Sequence, residues 1–185
     1  MASYCEFAIN DALHKPYHDL EYGFPVSDDK ALFERFVLEI NQAGLSWGTI
    51  LKKRPAFLRA YQGFDVELVA AYDETDRNRL LNDAGIIRNR LKINAAIENA
   101  RRLVGLCEEF GSFAGWLNHH HPRPLKEWVA LFRRTFLFTG GEIVNELLMS
   151  TGYLPGAHAQ SCPVYERVLA SNPPWIANPA GPRVY

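Results

Sequence analysis

An all-α fold is the prediction for this chain, and three observations carry it. Apolar residues recur at helical spacing through most of the sequence. No stretch alternates with the period of two that marks a half-buried strand. Ser, Asp and Asn stand just ahead of the periodic segments, where helix N-caps belong. The 185 residues suit one domain, and 48% hydrophobic with 22% charged residues is a globular composition that excludes a disordered, tail-like protein. A chain of this size buries roughly 70% of its unfolded surface and needs no disulfide staples.

In chain order, Ser27-Asp28-Asp29 offers a cap and first-turn acids for a helix to about Gln42, with Leu32, Phe33, Phe36, Val37 and Ile40 on one arc. Gly44 interrupts it. Leu45-Ser46-Trp47 then leads into a second helix, which Lys52-Lys53-Arg54 should end on its basic side, with Pro55 opening the next. Asp65 caps a helix holding Val66, Val69 and Ala70, and another runs from about Glu74 to Ala84. Gly85 to Arg88 separates that helix from a long one, about Asn89 to Phe110. Ser112 caps a short helix ending in Asn118-His119-His120-His121, and Pro124 opens one carrying Trp128, Leu131 and Phe132. Thr139-Gly140-Gly141 precedes a helix with Ile143, Val144, Leu147 and Leu148, and Cys162-Pro163 opens the last, to about Ala170. Residues 1–170 are therefore read as one helical domain. Residues 171–185, with the runs NPPW and NPAGP, read as an extended, proline-rich tail.

Twenty Lys and Arg face 21 Asp and Glu, a net charge of −1, which excludes a histone-like protein but leaves room for a local basic face. Gly152, Pro155 and Gly156 break the longest uncharged run, Leu147 to Tyr165, so no membrane span or membrane partner is expected. The start, MASYCEFAIND, has no basic region followed by an apolar core, the mark of a secretory signal. Three cysteines, an odd number without a CxxC pair, point away from disulfides and towards a reducing cytoplasm.

Three constellations could carry chemistry. Gly85-Ile86-Ile87-Arg88 between two helices leaves N–H groups free to hold a phosphate, with Arg88, Arg90, Lys92 and Arg101-Arg102 nearby; a solvated αα-corner fits the spacing equally well. Two isoleucines at the tip, if exposed, favour the binding version. Glu39 falls at the edge of the apolar arc, where partial desolvation raises a carboxyl pKa, and Trp47 offers a flat face just downstream; a boundary glutamate and a core tryptophan are the plainer alternative. Cys5, His18 and the H-x3-C pair His158 and Cys162 suit a closed tetrahedral zinc, although spacing alone does not join the two distant pairs. His119-His120-His121 reads as a solvated helix end and Cys107 as a small core residue.

The runs Pro16-Tyr17-His18-Asp19-Leu20-Glu21-Tyr22-Gly23, Gln42-Ala43-Gly44-Leu45-Ser46-Trp47 and Asp83-Ala84-Gly85-Ile86-Ile87-Arg88 resemble the 3-methyladenine DNA glycosylase I family over roughly Cys5 to Cys162. The resemblance implies a helix-hairpin-helix fold, excision of alkylated bases from double-stranded DNA, most directly 3-methyladenine, and action as a monomer without a lyase step. It implies one structural Zn2+ on Cys5, His18, His158 and Cys162, joining the N- and C-terminal segments. It further implies that Glu39 binds the base, that Trp47 stacks on it, and that Tyr17 lines its pocket. Gln42 and Leu45 would enter the base stack, and Gly85, Ile86, Ile87 and Arg88 would hold a phosphate. The Asp that other helix-hairpin-helix glycosylases place after the hairpin is missing; Val104 to Phe110 offers only Glu108 and Glu109.

Departures from the family pattern fall at the pocket: Phe7 and Tyr22 replace tryptophans, His14 replaces a tyrosine, and Glu142 brings an acid to a late helix start. They keep aromatic faces but alter size and hydrogen bonding. Two alternatives stay open on these grounds: another damaged-base specificity, or a helix-hairpin-helix protein that binds damage without excising it.

Overall fold

A computed structural model of the protein describes residues 4–177. Among the described residues there are helices and turns and no strand, as the periodicity predicts. The helices are α1 (Tyr4–Ala8), α2 (Lys15–Leu20), α3 (Asp29–Gln42), α4 (Trp47–Ala60), α5 (Val66–Ala70), α6 (Glu74–Asn82), α7 (Arg90–Phe110), α8 (Phe113–His120), α9 (Leu125–Thr135), α10 (Gly141–Ser150), α11 (Tyr165–Ala170) and α12 (Pro174–Ala177), with a 3-10 turn at Gln62–Phe64. None is long and apolar enough to cross a membrane.

Local chemistry accounts for most boundaries. The side chains of Asp28, Ser46, Asp65, Asn89 and Ser112 each accept an N–H from the first turn of the helix they precede, satisfying donors that a helix start otherwise leaves unpaired. Asp73 forms a capping box with Asp76 on α6.

The core is built around α3. Leu32, Phe33, Phe36, Val37 and Ile40 are completely buried, and α3 packs against α4, α7, α8 and α10. Phe36 meets the rings of Phe113, Phe132 and Phe136 at 5.1–6.2 Å, and Trp116 and Trp128 extend the cluster. Burying each such side chain is worth about 1.5–3 kcal/mol, so this aromatic layer ties the C-terminal helices to α3.

Several expectations need correction. α4 runs unbroken through Pro55 to Ala60; burial of Ile50, Leu51, Phe57 and Ala60 outweighs the hydrogen bond lost at the proline. Cys107 is only half-buried, and its thiol donates to Asp29 at 3.5 Å rather than filling the core. Asp29 also accepts the Phe113 and Ala114 N–H groups, linking α3 to the start of α8. The tail is not extended where it is described: Pro174–Ala177 forms a helical turn, and the Trp175 N–H donates to the Gly152 carbonyl. Residues 178–185 of that predicted tail lie outside the described residues. Short α1 and α2, which lack apolar periodicity, were not foreseen.

Candidate active site and metal centre

The four candidate metal ligands come from opposite ends of the chain. Cys5 lies on α1, His18 on α2, and His158 and Cys162 in the irregular segment between α10 and α11. That segment is a turn rather than a helix, closed by the Cys162 N–H on the Ala159 carbonyl at 2.8 Å. The four donor atoms lie within 4.8 Å of one another, and all four residues are buried. Cys5 Sγ to His158 Nδ1 is 3.7 Å, and Cys162 Sγ is 3.6 Å from both His18 Nε2 and His158 Nδ1. Tetrahedral coordination with Zn–S of ~2.3 Å and Zn–N of ~2.0–2.1 Å requires S···N separations of about 3.5 Å, so the cage has the dimensions of such a site.

Each histidine's other nitrogen is also engaged. His18 Nδ1 bonds Asp19 at 2.7 Å, and His158 Nε2 donates to the Tyr22 carbonyl at 2.6 Å. These contacts fix the tautomers that aim Nε2 of His18 and Nδ1 of His158 into the cage. Gly23 completes the support: its φ is +84°, and a Cβ there would sit 2.7 Å from the Ala157 Cβ and 3.3 Å from the His158 ring. Only glycine accepts both the left-handed backbone and the close approach.

Beside this centre is an aromatic cluster. Tyr17, Tyr22 and Leu51 are buried together, with Tyr4, Leu13, Trp47 and Ala157 packed against them. The Tyr17 and Trp47 rings are 5.1 Å apart, and Tyr17 and Tyr22 are 5.7 Å apart. Trp47 is the first residue of α4, set by the Ser46 cap, and its indole N–H is buried without a partner among the described residues. Glu39 is buried deeper than its place on the arc predicts, at 4% exposure. Its carboxylate makes no hydrogen bond among the described residues. Burial first, and then the charge of Glu146, push the Glu39 carboxyl up to about 8, against a smaller opposing pull from Arg35. Glu39 acts electrostatically on Tyr17 and Tyr22, so its unpartnered acceptor and the unpartnered Trp47 donor stand near the same rings, the groups that a planar heterocycle bearing an amino group would need.

Arg35 and Glu146 were missed as site residues. Arg35 is buried; it donates to the Tyr17 hydroxyl at 2.9 Å and the Ser150 carbonyl at 3.4 Å, pairs with Glu21 at 3.1 Å, and lies over the Tyr17 ring. Its signal was present: Arg35 and Glu39 stand four apart on one helix and so share a face. Arg54 bridges Glu21 and Glu34 with four hydrogen bonds, extending the network outward. Of the other pocket residues, His14 is buried and within 3.2 Å of the Tyr4 hydroxyl. Tyr22 donates to Glu146 at 3.2 Å. Phe7 is 50% exposed, touches His14 edge-on and lies outside the buried cluster, while Tyr4 packs on His14, His18 and Tyr22.

Gln42 donates to the Leu45 carbonyl at 3.2 Å, holding a loop whose tip, Gly44 to Ser46, is exposed. The hairpin differs from its expected form. Ile86 is buried in the core and Ile87 packs against it, so the tip does not display two free isoleucines. Asn89 takes the Leu91 and Lys92 N–H groups, and the N–H groups of Ile87 and Arg88 are left without a partner among the described residues. Gly85 approaches α4 so closely that a Cβ would lie 2.9 Å from that of Ala56, and Lys53 donates to the Ala84 and Gly85 carbonyls. Much of the expected basic face is structural. Lys92 is buried on the Asn41 and Ala43 carbonyls, Arg101 binds the Ala70 and Tyr72 carbonyls, and Arg102 binds that of Thr135. The carbonyl partners of these groups are invisible to charge counting.

Comparison with known proteins agrees with this geometry. The family model described as methyladenine glycosylase matches residues 7–130. DNA-3-methyladenine glycosylase 1 of Escherichia coli (strain K12) is 37% identical over 180 residues, covering 87% of this chain and 96% of the relative. DNA-3-methyladenine glycosylase of Haemophilus influenzae is 32% identical over 182 residues, 88% of this chain and 98% of the relative. A crystal structure of 3-methyladenine DNA glycosylase I superposes with a TM-score of 0.76 at 35% identity, covering 86% of this chain and 98% of that one. The Staphylococcus aureus protein, solved to explain 3-methyladenine recognition, gives 0.76 at 30% identity, covering 86% and 95%. The architecture is that of the all-helical helix-hairpin-helix DNA glycosylases. Within that class, the chain belongs to the methyladenine glycosylase family.

Proposed function

We propose that this chain extrudes an alkylated base from double-stranded DNA into the Tyr17–Glu39–Trp47 pocket and hydrolyses its N-glycosidic bond, with 3-methyladenine as its principal target. The observation that carries this reading is Glu39, a deeply buried carboxylate with no partner beside aromatic faces. A residue kept only for stability would not be left so.

Extruding a nucleotide costs a few kcal/mol, less for a damaged base, and stacking on Trp47 and Tyr17 returns about 1–3 kcal/mol. A 3-alkylated adenine in DNA carries a positive charge. Its field lowers the Glu39 pKa, and the ionised carboxylate accepts a hydrogen bond from the base's amino edge. The C1′–N9 bond then breaks with its electron pair going to the base, which leaves neutral. Water adds to C1′ and releases its proton to solvent. No lysine adduct or lyase step is involved. Glu108 and Glu109 are exposed on α7 and take no part. A general base would typically add ~10²–10⁴ in rate, which a bond weakened by the base's own charge does not need.

Gln42 and Leu45 would fill the gap left in the base stack, and the free Ile87 and Arg88 N–H groups with the Arg88 side chain would hold a phosphate. Buried Ile86 and Gly85 serve that contact by shaping the hairpin. The ion in the Cys5–His18–His158–Cys162 cage would be zinc. When bound, it supplies a structural clamp and, with four protein ligands, no open position for water.

The test is chromatographic release of free base from methylated duplex DNA by the wild-type chain and by Glu39→Ala, Glu39→Gln and Trp47→Ala. Release by wild type and strong loss in the variants supports the reading. Near-wild-type release from both Glu39 variants refutes the role of Glu39. No release by wild type, with affinity for damaged DNA retained, favours a binding protein.

A further inference from the structure

The family's features leave one half-buried group unexplained: the carboxylate of Glu146 on α10. It accepts the Tyr22 hydroxyl at 3.2 Å, and Tyr22 packs on Tyr17, so Glu146 is tied to the wall of the base pocket. It forms no salt bridge to Lys or Arg among the described residues. Arg35, the buried cation that contacts Tyr17, is committed to Tyr17, Ser150 and Glu21. The charged groups around Glu146 are themselves acidic: Glu142 one turn earlier on α10, and Glu39 across the pocket on α3. Burial and Glu142 push its carboxyl up, and Glu146 in turn pushes up Glu39.

Stability does not account for this grouping. Like charges in a partly desolvated space repel, and a neutral side chain that accepts the same Tyr22 hydrogen bond would avoid the cost. The cost is recovered only when a positive charge enters the pocket.

We infer that Glu146 is a specificity-determining residue that adds a second negative charge to the base pocket and selects bases bearing a formal positive charge over neutral bases of the same shape. With Glu39 deep in the pocket and Glu146 on the Tyr22 side, the two carboxylates place a cationic ring in a field that a neutral ring cannot exploit. This inference rests on the glycosylase reading above, and its test separates the two.

The variant Glu146→Gln keeps an acceptor for Tyr22 and removes only the charge; Glu146→Asp keeps the charge. Two probes are used: duplex DNA carrying 3-methyladenine, read as kcat/KM for base release, and duplex DNA carrying 3-deaza-3-methyladenine, an isostere without the positive charge, read as Kd. Glu146→Gln should lose about tenfold or more in kcat/KM on the cationic base. Its Kd for the neutral isostere should stay within about twofold of wild type, and Glu146→Asp should restore most of the rate. Unchanged kcat/KM in Glu146→Gln overturns the inference. Equal losses on both probes overturn it too, because they mark a structural role. If wild type releases no base at all, the glycosylase reading fails first, and this inference with it.

Discussion

Glu39→Gln should make this protein more stable while making it inactive. In the unfolded chain Glu39 titrates near its ordinary value of 4.5, and burial in the fold pushes it up to about 8. A raised carboxyl pKa means that the folded state holds its proton more tightly than the unfolded state does. The native state therefore suffers no penalty below pH 4.5, loses stability as pH rises from there, and bears the full penalty above pH 8. At 1.36 kcal/mol per unit, the penalty is about 3 kcal/mol at pH 7 and about 5 kcal/mol at pH 9. Gln is neutral at every pH and escapes it. Chemical denaturation of wild type and Glu39→Gln at pH 4.5, 7 and 9 checks this, with the difference small at the lowest pH and growing upward. In thermal melts at pH 7 the gain corresponds to roughly 6–12 °C. The same variant should lose about 10²-fold or more in base release. A stability difference that is absent, or flat across this pH range, would refute the assignment of Glu39 as an unpaired buried acid.

The remaining predictions concern the clamp, the charge network and the DNA face. One zinc per chain should be found by elemental analysis, and Cys162→Ser or chelation should cost much of the stability, because structural zinc contributes on the order of 10 kcal/mol in small sites; metal-free protein with an unchanged melting temperature would rule out the clamp. If ionised Glu39 binds the base, kcat/KM should rise with pH through a midpoint near 8, and Arg35→Met, which removes a cation acting on Glu39, should shift that midpoint upward. Lys92→Met should destabilise by about 1–3 kcal/mol, since two carbonyls at the end of α3 lose their donor. Arg88→Ala should weaken DNA binding and reduce the salt slope by about one, whereas Arg101→Ala, whose side chain holds the Ala70 and Tyr72 carbonyls, should lower stability and leave the slope unchanged.

Local sequence sets the starts of most helices from α3 to α10. Those depend on local matters: apolar spacing along α3 and α7, and capping side chains such as Asp28, Asn89 and Ser112. The family resemblance, not spacing, joined Cys5 and His18 to His158 and Cys162, and the fold brings their donor atoms within 4.8 Å of one another. Helix continuation through Pro55 was not legible, since it depends on what α4 buries rather than on the residue itself.

Which polar residues are buried, and against what, was decided only by the tertiary structure. Lys92, Arg101 and Arg102 look like a DNA-facing basic stripe in one dimension and prove to cap backbone carbonyls in three. Arg35 and Glu146 look like ordinary surface charges, yet they lie beside Tyr17, Tyr22 and Glu39. The physical reason is that desolvation and Coulomb interactions depend on separation in space. A local pattern reports a residue's side of a helix but not which distant helix covers that side. The near-neutral charge count was therefore correct as a sum, while the distribution that matters to a cationic base emerged only where α3 and α10 meet.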